Sequence, residues 1–327
     1  MTDRVLKWGL LSTARINRSL VPPLRMSKRN QLSAVASRSQ SSADAYAREW
    51  NIPRALGSYD ALISDPEIDV IYNPLPNSMH AEWSIKAMRA GKHVLCEKPI
   101  ALTLEELDAM MQASQETSRI LTEAFMYRHH PQTLKVKEMV DQGLLGKLQL
   151  IKGSFTFNIA SEDDIRLKKE MGGGSIWDVG CYPISYMRTL LGAEPLEVFG
   201  WQVIGPTGID DSFFGQLRFA DDVVGQFDSS FVIPFHVYME FVGSQGTLIV
   251  PKPYKPGLSE KLFVVREGKT ETIKVKGQEL YLGEVEDMAD TILLGKSPRI
   301  SLEDSRANIA VITAFFESAR TGAAVKL

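Results

Sequence analysis

Short apolar runs alternate with longer amphipathic segments over the first 124 residues. The apolar runs predict strands at residues 5–11, 31–37, 70–73, 93–96 and 120–123. Between them, apolar residues recur at helical spacing and predict helices over 16–26, 43–49, 79–90 and 104–118. Strands of this length separated by helices form parallel sheets covered on both faces, so the pattern predicts an α/β fold with a doubly wound parallel sheet.

From about residue 148 the pattern changes to strands joined by short turns. The predicted strands are 148–159, 197–205, 212–219, 223–231, 237–242, 247–250, 261–266 and 271–276. Short connections between successive strands are typical of a mainly antiparallel sheet. Helices are predicted over 131–142, 175–191, 285–294 and 302–320. We therefore expect two domains, 1–124 and 125–327, of which the second is α+β.

Two helix ends carry recognisable capping residues. Gly91 follows the third helical pattern, at the position where a glycine with a left-handed backbone commonly ends a helix. Thr103 precedes the fourth pattern and Glu106 stands three residues later, which is the spacing of a capping box.

Composition and charge are those of an ordinary globular protein. The 327 residues are 44% hydrophobic and 24% charged, and 37 basic against 40 acidic side chains give a net charge of −3. This balance excludes a disordered chain, and the absence of a basic block argues against nucleic acid as the main partner. The apolar run 5–11 is interrupted by Lys7, and no run reaches the about 18 residues of a membrane span. We therefore expect a cytoplasmic protein without a membrane partner.

Cysteine and histidine do not form a disulfide or metal-binding pattern. Cys96 and Cys181 are too few for a disulfide framework, and both are expected to be small buried thiols. His129 and His130 are adjacent, and adjacent side chains rarely share a ligand sphere. We expect no metal site.

The turn after the first strand has the position of a dinucleotide-binding loop. Such a loop uses small residues so that backbone N–H groups approach a pyrophosphate at a helix N-terminus. Ser12, Ala14 and Asn17 stand where the three glycines of G-x-G-x-x-G would be. The position in the first strand–helix unit favours a nucleotide site over an ordinary turn. The candidate contacts are Ser12, Thr13, Ala14, Arg15 and Ile16.

The second strand ends without the acidic residue that NAD enzymes usually place there. Ser37 and Arg38 occupy this position, with Ser39 beyond. A guanidinium suits a 2′-phosphate, whereas a carboxylate accepts hydrogen bonds from ribose hydroxyls. Arg38 is therefore either a solvated residue in a serine-rich loop or the sign of NADP(H), preferred over NAD(H), as the cofactor.

A lysine follows the strand at 93–96, at the edge of a parallel sheet where ligands bind in such folds. It is Lys98, within Glu97-Lys98-Pro99, and Pro99 is a candidate for a cis peptide bond. The triplet is either a polar loop or part of a catalytic site.

The glycine-rich stretch 172–182 leads into a predicted helix. Asp178 and Tyr182 are four residues apart on it and share one face. A carboxylate and a phenol there make a proton-transfer pair. The alternative is an aspartate that compensates the helix dipole and a packed tyrosine.

In order along the chain, these motifs resemble the glucose–fructose oxidoreductase/inositol dehydrogenase (Gfo/Idh/MocA) family of NAD(P)-dependent sugar enzymes. The most specific markers are Glu97-Lys98-Pro99, the stretch 172–182, and the segment 74–80, which is similar to the family's loop beside the nicotinamide. The resemblance implies an N-terminal Rossmann domain and a C-terminal domain whose open, mainly antiparallel sheet commonly forms the subunit interface. Because many members carry histidine at the position of Tyr182, the chain looks nearest to the NADP-xylose dehydrogenase and dihydrodiol dehydrogenase branch.

The resemblance also implies roles for individual residues. It places Lys98, Asp178 and Tyr182 in the catalytic positions. The residues implied at the cofactor are Leu75, Pro76, Asn77, His80, Glu97, Lys98 and Arg166. The candidate substrate contacts are Tyr127, Arg128, Phe155, Phe157 and Phe235.

These features predict an NADP-dependent oxidoreductase that transfers a hydride between nicotinamide and a CH–OH/C=O group. The expected partner is a small cyclic sugar or polyol, for example xylose, glucose or a keto-sugar. One alternative is a non-catalytic NADP-binding sensor or structural protein, and another is an NAD-assisted glycosidase that recycles its cofactor. A sensor has no need of Lys98, Asp178 and Tyr182 together, which favours the dehydrogenase.

A homodimer, or a tetramer, is expected through the sheet of the second domain. Its strands carry apolar residues assigned to both faces: Phe213, Phe214, Leu217, Phe219, Val224, Phe227 and Phe231. The helix 175–191 covers one face, and the other would leave a large exposed apolar patch. A two-fold interface is the simplest way to cover it.

Overall fold

The computed structural model describes residues 4–327, and residues up to 126 form a six-stranded parallel sheet with helices. The strands are β1 (Leu6–Leu11), β2 (Asn30–Ala36), β3 (Arg54–Leu56), β4 (Val70–Asn73), β5 (His93–Glu97) and β6 (Leu121–Ala124). The helices are α1 (Asn17–Met26), α2 (Gln40–Trp50), α3 (Tyr59–Ile63), α4 (His80–Arg89) and α5 (Leu104–Thr117). The strand order β3-β2-β1-β4-β5-β6, with parallel neighbours, confirms the doubly wound sheet. The pattern does not predict β3 and α3, because segments so short show no periodicity.

Both predicted helix caps are present. Gly91 has a φ of 85° just after α4. The hydroxyl of Thr103 accepts a hydrogen bond from the N–H of Glu106 at 3.1 Å. The carboxylate of Glu106 accepts from the N–H of Leu102 at 2.9 Å, so the return bond of the capping box is displaced by one residue.

Residues 127–280 carry most of a second, nine-stranded sheet. The strands are β7 (Leu148–Thr156), β8 (Glu197–Ile204), β9 (Asp210–Arg218), β10 (Val224–Ser230), β11 (His236–Gly243), β12 (Gly246–Val250), β13 (Ser259–Arg266), β14 (Lys269–Lys276) and, near the end of the chain, β15 (Val325–Lys326). The helices are α6 (Pro131–Asp141) and α7 (Cys181–Leu191). The order is β14-β13-β12-β11-β7-β10-β9-β8-β15. Only β7 and β10 pair in parallel, which confirms a mainly antiparallel sheet.

The two last helices are α8 (Leu282–Leu294) and α9 (Leu302–Thr321). The described chain divides into two compact units, one of residues up to Met126 with Tyr281–Arg306 and one of Tyr127–Leu280 with Ala307–Leu327. The predicted division into 1–124 and 125–327 differs from this at 281–306. The reason is that α8 packs on α1 and β2, where the side-chain amide of Asn30 donates to the carbonyl of Val285 at 3.3 Å.

One face of the nine-stranded sheet is covered by helices. Phe315 of α9 packs edge-on against Phe213 and Phe227, with ring centroids 5.7 and 5.1 Å apart. Most of the apolar residues that we assigned to both faces are buried: Phe213, Leu217, Phe219, Phe227 and Phe231. Phe214 and Val224 alternate with these residues and lie on the opposite face, so the prediction of apolar residues on both faces is confirmed, with most of them on the covered face.

The other face of the sheet exposes an apolar patch that includes Phe214. Phe214 is 37% exposed and lies opposite Trp201 of β8, which is 58% exposed. Val203, two residues further along β8, is 53% exposed. We call Trp201, Val203 and Phe214 the β8–β9 patch.

No helix within residues 4–327 is both long and apolar enough to cross a lipid bilayer. The same residues bring together no group of three or more His, Cys, Asp or Glu side chains that could hold a metal ion. Cys96 and Cys181 are both buried, as predicted.

Candidate active site

The turn after β1 has the backbone of a glycine-containing loop although it contains no glycine. Ser12, at the first glycine position, has a φ of 140°, which side chains with a Cβ rarely adopt. Its hydroxyl accepts a hydrogen bond from the N–H of Ala14 at 3.2 Å. The buried amide of Asn17 donates to the carbonyl of Ser12 at 2.7 Å and holds the turn against the start of α1. The chain thus keeps the tight turn that a pyrophosphate loop requires.

We expect Ser12→Gly to be more stable than Ser12→Ala by about 1 kcal/mol, because only glycine adopts this φ without strain. Both variants lose the hydrogen bond between the Ser12 hydroxyl and the N–H of Ala14. The difference in stability between the two variants therefore measures the backbone strain at residue 12. Urea denaturation of the two proteins measures the difference. Higher stability of the alanine variant would contradict the strained turn, since alanine is favoured by about 0.4–1 kcal/mol where φ is ordinary.

The residues after β2 present positive charge to solvent. Ser37 is buried and its N–H donates to the carbonyl of Leu56 at 3.0 Å, whereas Arg38 is exposed. Ser39 caps α2 by accepting from the N–H of Ser42 at 3.3 Å. A helix N-terminus carries partial positive charge, so Arg38 and the start of α2 together favour an anion.

The segment 74–80 is tied to the Lys98 loop through His80. The His80 ring is fully buried, with Nδ1 2.8 Å from the carbonyl oxygen of Pro99 and Nε2 2.8 Å from that of Leu75. Burial lowers the pKa of His80 to about 4, with a smaller lowering by Lys98, whereas the two backbone carbonyls act in the opposite direction. The structure therefore places His80 as a brace between two loops.

The carboxylate of Glu97 is held at both oxygens. The phenol of Tyr72, buried on β4, donates to Oε1, and the backbone N–H of Lys98 donates to Oε2 at 3.4 Å. Burial, and then the charge of Glu97, raise the pKa of Tyr72 well above its ordinary value, so it stays a hydrogen-bond donor. Lys98 itself is half-buried, and its peptide bond to Pro99 is cis, as predicted. Sequence reasoning missed Tyr72, because this contact joins two strands.

The glycine-rich stretch forms a π-helical turn before α7. Residues Ile176–Gly180 are π-helical, and the N–H of Cys181 donates to the carbonyl of Ile176. The helix predicted over 175–191 therefore begins with a wider turn than expected, with Asp178 inside that turn and Tyr182 in α7. A Cβ on Gly180 would lie 3.0 Å from Ile176 and from Ser229 of β10, so this turn packs closely on the sheet.

Asp178 forms an ion pair with Arg166. The Arg166 Nε lies 3.0 Å from Oδ2 of Asp178, and its NH1 lies 3.0 Å from Oδ2 of Asp164. The carboxylate of Asp178 is the largest cause of a raised pKa for Arg166. The sequence motifs indicate Arg166 and Asp178 as two separate site residues, and the structure shows that they form an ion pair. The pair is suited to orienting a polar group by charge.

Tyr182 is packed among aromatic rings. Its centroid lies 5.7 Å from that of Tyr127, 5.4 Å from Phe155 and 5.5 Å from Tyr254. Tyr254 stacks on Phe155 at 5.0 Å, and the phenol of Tyr127 donates to the hydroxyl of Ser185 at 2.9 Å. The cluster fixes the orientation of the Tyr182 ring, and Tyr254 is a member that sequence reasoning missed.

The candidate substrate residues separate by exposure. Tyr127, Arg128 and Phe155 are buried. Phe157 is half-buried with the guanidinium carbon of Arg166 5.9 Å from its ring centroid, and Phe235 is 71% exposed. Tyr127 and Phe155 pack against Tyr182, and the more exposed Phe157 and Phe235 are the better candidates for direct contact with substrate.

Comparison with known proteins identifies the family. Residues 6–125 match the family described as "Oxidoreductase family, NAD-binding Rossmann fold", and residues 133–249 match the "GFO/IDH/MocA C-terminal domain". D-xylose 1-dehydrogenase (NADP(+)) 2 of Haloferax volcanii is 35% identical over 98% of this chain and 100% of its own length.

Two solved structures share the whole architecture. Aldose-aldose oxidoreductase of Caulobacter crescentus matches with a TM-score of 0.92 and 25% identity over 99% of this chain and 100% of that one. A 3-ketoreductase of Actinomadura kijaniata, solved with NADP and TDP-benzene, matches with a TM-score of 0.91 and 28% identity over 96% and 98%. The chain therefore belongs to the Gfo/Idh/MocA oxidoreductase family.

Proposed function

We propose that this protein is an NADP-dependent oxidoreductase acting on a CH–OH/C=O group of a cyclic sugar or polyol. The observation that carries the proposal is that Lys98, Asp178 and Tyr182 are all present, with Asp178 paired to Arg166 and the Tyr182 ring packed among aromatic side chains. A sensor or structural protein on this fold would not need all three. The xylose dehydrogenase similar to this chain over its full length supports a sugar as substrate.

NADP(H) is the proposed cofactor. The strained turn at Ser12 allows a pyrophosphate to come close to the backbone N–H groups of the loop. The exposed guanidinium of Arg38 suits a 2′-phosphate. The residues proposed to hold the cofactor are Ser12, Thr13, Ala14, Arg15, Ile16, Ser37, Arg38, Leu75, Pro76, Asn77, His80, Glu97, Lys98 and Arg166. When bound, the nicotinamide supplies the acceptor or donor of the hydride.

Tyr182 is the proposed acid and base. During oxidation it takes the proton of the substrate hydroxyl as C–OH becomes C=O, and in reduction it returns that proton to the carbonyl oxygen. Lys98 supplies positive charge and a hydrogen-bond donor, and it is the alternative proton-transfer group. The ion pair of Asp178 with Arg166 orients the polar groups around the reaction.

A panel of aldoses, inositols and keto-sugars, followed by the absorbance of the reduced coenzyme, tests this function. A dehydrogenase reduces or oxidises one coenzyme molecule for each sugar molecule that it converts. An NAD-assisted glycosidase would release sugar without net coenzyme change, and a sensor would bind NADPH without turnover. Either of those results would replace the proposal.

The β8–β9 patch is proposed as the interface between two copies of this chain. The patch lies on a wide sheet, and Phe199 extends its apolar surface by packing edge-on against Trp201 at 4.5 Å. Exposed apolar groups of this kind mark protein interfaces, and a two-fold operation brings the same patch against itself.

We expect light scattering to give twice the monomer mass for the wild type and the monomer mass for Trp201→Glu. Glutamate placed in an apolar interface loses several kcal/mol of hydration. Leu294→Glu, on the exposed end of α8, is the matched control and is expected to remain dimeric. A monomeric wild type at micromolar concentration would exclude this interface.

A further inference from the structure

A buried carboxylate lies under the π-helical turn. Asp210, the first residue of β9, is 3% exposed. Its Oδ2 accepts hydrogen bonds from the N–H of Ile176 and from the hydroxyl of Ser175, both at 2.8 Å. The Ser175 hydroxyl also lies 3.1 Å from that of Ser229 on β10. Asp210 and Ser175 together attach the start of the turn to β9 and β10.

The turn held by Asp210 is the one that places Asp178. The N–H of Asp178 donates to the carbonyl of Gly174 at 3.1 Å, and the N–H of Gly174 donates to the carbonyl of Arg166 at 3.0 Å. The ion pair of Arg166 with Asp178 closes this ring of three contacts. Gly174 has a φ of 130°, and a Cβ on it would lie 2.2 Å from Oδ1 of Asp210. Asp210 thus occupies the space that is open only because residue 174 is a glycine. Gly174, which takes part in two of the three contacts, lies directly against this carboxylate.

Burial removes water from the carboxylate of Asp210 and disfavours its charged form. Burial raises the pKa of Asp210 to about 6, against about 3.9 for an ordinary aspartate. At a pH between these two pKa values, Asp210 therefore binds a proton when the protein folds. For this reason its contribution to the free energy of unfolding falls as the pH rises from about 4 to about 6. Above pH 6 the carboxylate is ionised and is held by the hydrogen bonds from Ser175 and Ile176.

We propose that Asp210 is a positioning residue that sets the place of Asp178 and its partner Arg166 through the π-helical turn. This inference rests on the proposed function for its catalytic consequence. The geometry supports it independently, because the two acceptor bonds of Asp210 end at Ser175 and Ile176, next to the glycine that bonds Asp178.

The test is Asp210→Asn at pH 8, which keeps the shape and removes the charge. We expect kcat to fall about tenfold or more, since small displacements of reacting groups are costly. The KM for NADP⁺ should rise by a smaller factor than kcat falls, because Ser12 and Arg38 belong to the first unit and Arg166 is the one proposed cofactor residue that pairs with Asp178. The melting temperature should stay close to that of the wild type, because the side chain keeps its shape and one acceptor oxygen. Asp211→Asn, one residue along the same strand and half-buried, is the control with unchanged kcat.

Hydrogen exchange of residues 174–180, followed by mass spectrometry, separates this inference from the proposed function. Faster exchange in Asp210→Asn supports the positioning role even if no sugar in the panel is converted by the wild type. Exchange at the wild-type rate or an unchanged kcat in Asp210→Asn would overturn the inference. It would also be overturned if the melting temperature fell together with kcat, or if KM rose by the same factor as kcat fell. If Asp210→Asn does not fold, Ser175→Ala replaces it and should give a smaller change in the same direction.

Discussion

Replacing Tyr182 with phenylalanine is expected to lower kcat by about 10²–10⁴-fold, the usual contribution of general acid–base catalysis. The aromatic cluster should survive, because the ring that packs on Tyr127, Phe155 and Tyr254 remains. Coenzyme binding should therefore be unchanged. The measurement is the single-turnover rate of hydride transfer at saturating sugar and coenzyme.

Tyr254→Phe is the matched control for this prediction. It removes a phenol from the same cluster, where Tyr254 contacts the sulfur of Met239 at 3.1 Å, and it should keep near wild-type kcat. Lys98→Met should lose at least as much rate as Tyr182→Phe, because it removes both a charge and a donor. A near wild-type rate for Tyr182→Phe would make the phenol structural and would assign proton transfer to Lys98.

Replacing Arg38 with alanine is expected to weaken NADPH binding by about 10- to 150-fold and to leave NADH binding nearly unchanged. A hydrogen bond to a charged group contributes about 1.5–3 kcal/mol, and only NADPH carries the 2′-phosphate. Arg38 is exposed after β2, so its removal does not disturb the core. Fluorescence titration with both coenzymes measures the effect.

Arg48→Ala controls for the general loss of positive charge, because Arg48 is also exposed and lies in the last turn of α2. It should change neither affinity by more than about twofold, since exposed charges interact weakly. Equal losses for the two coenzymes in Arg38→Ala would contradict its assignment to the 2′-phosphate.

Local patterns predicted most of the elements. The strand at 70–73 has the predicted bounds, and the start of α5 after Thr103 follows from its cap. These predictions hold because helical and strand periods, and caps such as Gly91, depend on residues close together in the chain. The motif around Lys98 was equally visible, since the end of a parallel strand is a place that the strand pattern itself defines.

The sequence alone also determined the family and, through Arg38, the expected cofactor. It did not determine which groups hold the candidate catalytic residues. Tyr72 on Glu97, Arg166 on Asp178 and Asp210 under the π-helical turn are contacts between segments distant in sequence. Nothing in the local spacing of those residues marks them as partners.

Tertiary structure decided two further matters. It assigned α8 to the first unit, because the surface that buries this helix is formed by α1 and β2, far away in the chain. It also decided which sheet face is covered, and so left Trp201 and Phe214 exposed while Phe227 is buried. Alternation along a strand separates its residues into two faces, but only the packing of α7 and α9 determines which of the two is buried.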